Sequence, residues 1–167
     1  RLEIADRDLA SAEETAAIIR EAGGEAFAIA ADVTDEALVR AAIEACILRF
    51  GRIDILHNNV GASLALGDAT ATELTVEAFD RIVAVNLRGM WLACKHALPP
   101  MREQGGGSIV NISSMAVREA YPYVGYKTTK AGAISLTENI AAANARYGIR
   151  ANAILPGLMN TPMAIEP

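Results

Sequence analysis

Ser108-Ile-Val-Asn-Ile-Ser-Ser114, a short apolar run that closes on two serines, is followed after a polar loop by Tyr123-Val-Gly-Tyr-Lys-Thr-Thr-Lys130. The second stretch opens an Ala- and Leu-rich segment that runs to Tyr147, and Ile149-Arg-Ala-Asn-Ala-Ile-Leu155 comes next. The outer runs, Ser108 to Ser113 and Ile149 to Leu155, have the length and apolar character of strands, and the middle segment, Tyr123 to Tyr147, has helical periodicity. Gly148 supplies the left-handed stop between helix and last strand. Strand, helix and strand with short joints make a parallel pair with a crossover helix, the unit from which doubly wound sheets are built.

The same alternation extends upstream. Leu2 to Asp6 reads as a strand and Leu9 to Ala22 as a helix ended by Gly23-Gly24. Ala26 to Ala30 is the next strand, and Thr34 or Asp35 caps a helix carrying Leu38, Val39, Ala42, Ile43 and Ile47. Gly51 stops that helix, Ile53 to Leu56 forms a strand, and Asn58-Asn-Val-Gly61 opens a loop. Thr75 to Leu98 is expected to be one long helix, with a break at Pro99-Pro100. The pattern predicts an α/β fold: a doubly wound, three-layer parallel sheet with ligands at the carboxyl ends of its strands. Asp6, Asp32, Asn58, Asn59, Ser113, Ser114, Pro156 and Gly157 all fall at or after such ends.

Composition narrows the function classes. A chain of 167 residues with 52% hydrophobic and 21% charged residues suits one globular domain, and no linker or repeat divides it. A net charge of -5 argues against a nucleic-acid partner. No apolar run reaches the length of about 20 residues that a membrane span needs. The two cysteines, Cys46 and Cys94, lie in apolar helical patterns and read as small buried hydrophobes. A soluble, cytoplasmic protein is expected. His57 and His96 stand apart from each other and from the cysteines, so no metal site is expected. The sequon Asn111-Ile-Ser113 is discounted because it falls in a strand. A serine hydrolase is set aside because no Gly-x-Ser-x-Gly elbow occurs.

Tyr126 and Lys130 share one helix face, one turn apart. A free tyrosine, with a pKa of about 10, is a weak acid at neutral pH until a nearby positive charge favours the phenolate. Asp32-Val33, Asn58-Asn-Val-Gly61, Asn86, Ile112-Ser-Ser114, Tyr126-x-x-x-Lys130 and Pro156-Gly157 occur in an order and context that resemble the short-chain dehydrogenase/reductase family, along essentially the whole chain. The resemblance implies a Rossmann-like fold and an NAD(P)-dependent exchange of hydride between an alcohol and a ketone. It makes Tyr126 the general acid or base and Lys130 the residue that holds the nicotinamide ribose and eases the tyrosine's proton loss. Asn86 would complete a tetrad by orienting a water. For the serine, the family's interval of about thirteen before the tyrosine points to Ser113. Position as second of the pair, 28 residues after Asn86 (114 − 86), points to Ser114, which is preferred. Adjacent strand residues face opposite ways, so one of the two is expected to reach the substrate.

The same resemblance places the cofactor. Asp6 would accept the adenosine ribose hydroxyls and favour NAD over NADP, with Arg7 leaving NADP open. Asp6 also has a plainer reading as a helix cap. Asp32 and Val33 would border the adenine, Asn59 and Gly61 the ribose, and Pro156, Gly157, Leu158 and Thr161 the nicotinamide amide and diphosphate. The family's glycine-rich turn does not occur in this sequence, and Leu2 to Asp6 matches the family's second strand. The sheet is therefore expected to lack the first strand, which belongs between the strands ending at Asp6 and Asn58, in a truncated single domain spanning 1–167 that binds NAD weakly. The 3-oxoacyl carrier-protein reductases look nearest in character. An inactive scaffold associating through Thr75 to Leu98 and Tyr123 to Tyr147 is the alternative, and a homodimer or homotetramer is expected in either case. Trp91 is assigned to the core ahead of such a contact.

Overall fold

Three helices of this chain each begin where an acidic or hydroxyl side chain holds free amides of the first turn. The structure is a computed structural model and describes residues 1–160. Asp8 accepts from the amides of Ala10 and Ser11 and starts α1 (Leu9–Glu21), which joins β1 (Leu2–Asp6) to β2 (Ala26–Ala30). Asp35 does the same for α2 (Glu36–Phe50) through Ala37 and Leu38, and Thr75 caps α3 (Val76–Val83). The other strands are β3 (Ile55–Asn58), β4 (Gly107–Ile112) and β5 (Ile149–Ile154), with α4 (Gly89–Glu103) before β4 and α5 (Val124–Asn144) before β5.

All pairings are parallel, with Asp6 opposite Ala30, Asn58 opposite Asn111 and Ile112 opposite Ile154. The fold is the expected Rossmann-like α/β arrangement. Its strands fall into two sheets, β1-β2 and β3-β4-β5. Among the described residues β1 and β3 do not pair, so the interruption lies where the sequence reading put it. Ile43, Ile53, Cys94, Ala97, Met101, Ile109, Ile140 and Ile149 form the core that binds α2, α4 and α5 to the three-stranded sheet. Each large side chain buried there contributes about 1.5–3 kcal/mol. Burial pushes the Cys94 thiol up to about 12, consistent with a small hydrophobe.

Four expectations need correction. The strand expected over Ile53 to Leu56 starts instead at Ile55, because Ile53 exchanges both backbone hydrogen bonds with the Gln104 side chain (3.3 and 2.6 Å). Pro99 and Pro100 lie inside α4, which continues to Glu103. Fully buried Met101 anchors that last turn, and the two missing amides are too few to undo it. The interruption of the long helix comes earlier, as a π-helical turn over Ala84–Arg88. Trp91 is 45% exposed, with Lys95 over its ring, so it is not a core residue. Gly148 has the expected left-handed backbone (φ 73°), and a side chain there would also meet the Gly105 carbonyl at 2.9 Å.

Candidate active site

The carboxyl ends of β3 and β4 are set against α5 by buried amides. Asn58 Nδ2 donates to Asn111 Oδ1 (2.8 Å), and Asn111 Nδ2 donates to Thr137 Oγ1 on α5 (2.9 Å). Two further bonds link strand end and helix: Ser113 Oγ donates to the Lys130 carbonyl (2.7 Å), and Lys130 Nζ donates to the Ile112 carbonyl (2.8 Å). The first turns of α5, which carry Tyr126 and Lys130, are thus fastened to the tip of β4.

Lys130 is only 2% exposed, and burial pushes its ammonium down to about 8 from 10.5. Its Nζ lies 5.6 Å from the centre of the Tyr126 ring. A Cβ added at Gly61 would sit 2.9 Å from Lys130 Nζ and 3.6 Å from Asn86 Oδ1, so the glycine lets the loop after β3 approach both groups.

Asn86 is fully buried in the π-helical turn. Its side chain accepts from the Ala62 amide (2.8 Å) and donates to the Ala62 carbonyl (2.8 Å) and Thr129 Oγ1 (3.2 Å). Thr129 Oγ1 in turn donates toward the Gly125 and Tyr126 carbonyls (2.8 and 3.0 Å). Asn86, Gly61, Tyr126 and Lys130 therefore meet in one place. The two serines behave differently. Ser113 is buried, with its hydroxyl spent on Lys130, whereas Ser114 is half-buried beyond the strand, its Oγ accepting from the Ala116 amide (3.1 Å). The Met115 amide donates to the Pro156 carbonyl (2.9 Å), which brings Pro156 beside this loop; Gly157 and Leu158 are exposed.

Of the residues expected around the adenosine, Asp6, Asp32 and Val33 lie at or just after the ends of β1 and β2, whereas Gly61, expected at the adenosine ribose, lies instead against Lys130 and Asn86. Asp6 does not cap α1: its Oδ1 accepts from the Asp8 amide (2.9 Å). Asp32 Oδ1 accepts from the Thr34 amide and hydroxyl (2.8 and 2.7 Å), bonds that hold its carboxyl below the usual range, with a smaller field from Arg7. The two clusters are coupled by packing. A Cβ at Gly89 would meet Val33 Cβ at 2.8 Å, and Arg88 Nη2 donates to the Thr34 carbonyl (3.3 Å). Asn59 is exposed, and Thr161 lies outside the described residues.

Sequence reasoning missed Ser63, Asp68 and Tyr121, which surround the start of α5. Asp68 is buried and accepts from the amides of Gly125 (2.8 Å) and Tyr126 (2.7 Å). The Ser63 hydroxyl bridges Asp68 Oδ2 and the Tyr121 hydroxyl, both at 3.1 Å, and the Tyr121 and Tyr126 rings are 5.6 Å apart. No motif flags these positions. Chemically, a phenol beside a buried amine at the rim of a parallel sheet can carry a proton to or from a bound oxygen.

A family model described as short chain dehydrogenase matches residues 1–166. The 2-(R)-hydroxypropyl-CoM dehydrogenase of Xanthobacter autotrophicus (strain ATCC BAA-1158 / Py2) is 45% identical over 139 residues, 81% of this chain and 54% of that protein. The crystal structure of levodione reductase superposes with a TM-score of 0.91 at 39% identity, over 98% of this chain and 64% of that one. The structure of a gluconate 5-dehydrogenase from Burkholderia cenocepacia J2315 in complex with NADP and tartrate gives 0.88 at 34% identity, over 96% and 62%. The chain spans about half the length of the curated relatives it matches.

Proposed function

The chain belongs to the short-chain dehydrogenase family, and on that premise we propose that it is the dinucleotide-binding domain, residues 1–167, of an NAD(P)-dependent oxidoreductase that interconverts a secondary alcohol and its ketone. The observation that carries this reading is the meeting of Asn86, Gly61, Tyr126 and Lys130 at the carboxyl ends of β3 and β4, around a buried amine. When bound, the nicotinamide supplies or accepts the hydride.

The cofactor's nicotinamide half fits the residues present. Gly61 leaves a cradle that a Cβ would fill, and Lys130, with one nitrogen bond to Ile112, has donors to spare for ribose hydroxyls. Tyr126 holds the proton that the substrate oxygen gains in reduction and loses in oxidation. Ser114, whose hydroxyl has a single, local partner among the described residues, polarises that oxygen, and Ser113 serves the scaffold. Asn86 keeps the loop after β3 in place through Ala62 and orients the water of the relay. Asp6, Asp32, Val33 and Asn59 hold the adenosine, with Pro156, Gly157, Leu158 and Thr161 on the nicotinamide side. Asp6 favours NAD, and Arg7, whose charge also reaches the Asp32 carboxyl, leaves NADP open. Among substrates, 3-oxoacyl groups are one class and cyclic ketones another, and a homodimer or homotetramer through α4 and α5 leaves exposed Trp91 available for the contact.

The test uses the complete protein, with NADH and NADPH and a panel of ketones that includes cyclohexanone and ethyl acetoacetate. Tyr126→Phe is expected to lower turnover by about a hundredfold to ten-thousandfold, the usual worth of a positioned proton donor. NADH affinity, read by fluorescence titration, is expected to stay within about twofold because only the hydroxyl is removed. Undiminished turnover in this variant would exclude Tyr126 from the chemistry.

A further inference from the structure

The carboxylate of Asp68 is 5% exposed and has no basic partner among its described hydrogen bonds; its oxygens are filled by amides and a hydroxyl. Oδ1 accepts from Gly125 (2.8 Å) and from its own neighbour Ala69 (3.0 Å), and Oδ2 accepts from Tyr126 (2.7 Å) and Ser63 Oγ (3.1 Å). The α5 N-cap residue, Tyr123, makes no side-chain capping bond. The cap comes instead from a residue 58 positions earlier in the chain than Tyr126. A second bond, from the Val124 amide to the Ala69 carbonyl (3.0 Å), runs alongside. A cap supplied from so far away fixes the helix start relative to the loop after β3, which a local cap does not do.

We propose that Asp68 is a positioning residue for Tyr126: it holds the tyrosine's own backbone amide and, through Ser63, the Tyr121 ring that flanks it. The proposal rests on the reading of Tyr126 as the proton carrier. Misplacement of a reacting group by about 1 Å costs roughly a hundredfold in rate, so loss of this anchor is read in turnover and not in cofactor binding. Asp68→Ala removes every acceptor. Asp68→Asn keeps the volume and one acceptor oxygen and turns the other position into a donor facing an amide or a hydroxyl.

Both variants are assayed in the complete protein with NADH and the panel ketone that the wild type reduces fastest, and kcat is normalised to NADH sites counted by fluorescence titration. Asp68→Ala is expected to lower kcat per site by about tenfold to a hundredfold, with the NADH KM within about twofold and a larger solvent deuterium isotope effect, because proton transfer becomes slower. Asp68→Asn is expected to fall between the two. If either variant loses sites while its kcat per site and isotope effect stay at the wild-type values, Asp68 serves folding alone and the proposal is overturned. Should the Ala variant not fold, the Asn variant decides on the same two readings. Tyr126→Phe, run in parallel, separates the causes: if it is active, the underlying reading fails as well; if it is inactive while both Asp68 variants match the wild type, only the present inference fails.

Discussion

Lys130 costs the fold stability at neutral pH. Burial lowers its value from 10.5 to about 8, a differential of about 3 kcal/mol against the ammonium. Below pH 8 both folded and unfolded chains carry the proton, and the penalty is complete. Between 8 and 10.5 the folded chain sheds it first, so this site makes the protein more stable as pH rises across that window. Against the penalty stands one hydrogen bond to the Ile112 carbonyl, worth about 1 kcal/mol. Lys130→Met is therefore expected to raise unfolding stability at pH 7 by about 1–2 kcal/mol while removing turnover. Urea unfolding checks this, and a loss of stability in the Met variant would contradict it. The spacing of Tyr126 and Lys130 was legible because a helix repeats nearly every four residues. Asp68 was not legible: beside Gly67 it reads as a turn former, and its bonds to α5 span 57 and 58 residues.

Among the elements, the passage from α3 to α4 is the most constrained. The π-helical turn carries Asn86 inward, and Gly89 just after it lies against the loop that follows β2. A Cβ at Gly89 would meet Val33 Cβ, Cγ2 and carbonyl oxygen at 2.8–3.0 Å, and a backbone oxygen and a β-carbon have no room to swing aside. Helix propensity favours Gly89→Ala by about 1 kcal/mol, and overpacking opposes it by about 1–3 kcal/mol. Overpacking wins, so the variant is expected to unfold about 1 kcal/mol more easily and, if Val33 borders the adenine, to bind NADH less tightly in the complete protein. Gly132→Ala is the control: the atoms nearest its Cβ all belong to the Leu87 side chain, which can turn, and that variant is expected to be neutral or stabilising in thermal unfolding. If both variants behave alike, the close approach at Val33 is not the cause. Caps such as Asp35 and stops such as Gly51 and Gly148 made most element boundaries readable. The π turn has no such signal, because Ala84-Val-Asn-Leu-Arg88 is an ordinary helical string and the irregularity arises from the bonds of buried Asn86 to Ala62 and Thr129. Pro99-Pro100 carried a strong local signal that tertiary packing of Met101 overrode.

For the molecule as a whole, β1 carries a titratable group in an unfavourable position. Glu3, on β1, has a buried Oε2 without a hydrogen-bond partner among the described residues, and burial raises its carboxyl from 4.5 to about 7. Cys46 on α2 is a neighbour whose thiol is pushed up by burial and then by the fields of Glu3 and Asp54. Below pH 4.5 Glu3 is protonated folded or unfolded and costs nothing. From 4.5 to 7 the unfolded chain ionises while the folded one retains the proton, so stability falls as pH rises, and above 7 the whole penalty is present. The shift corresponds to about 3 kcal/mol unscreened, and solvent access to the half-buried side chain reduces this to about 1–2 kcal/mol. Glu3→Gln keeps the shape and removes the charge. Its gain in unfolding stability is expected to be about 1–2 kcal/mol at pH 8 and close to zero at pH 4, measured by urea titration of the two proteins in the same buffers. A gain independent of pH would mean that the amide has found a partner the carboxylate lacks. A loss at pH 8 would mean that the ionised carboxylate already has one, and that burial at the edge of β1 is not what sets its charge.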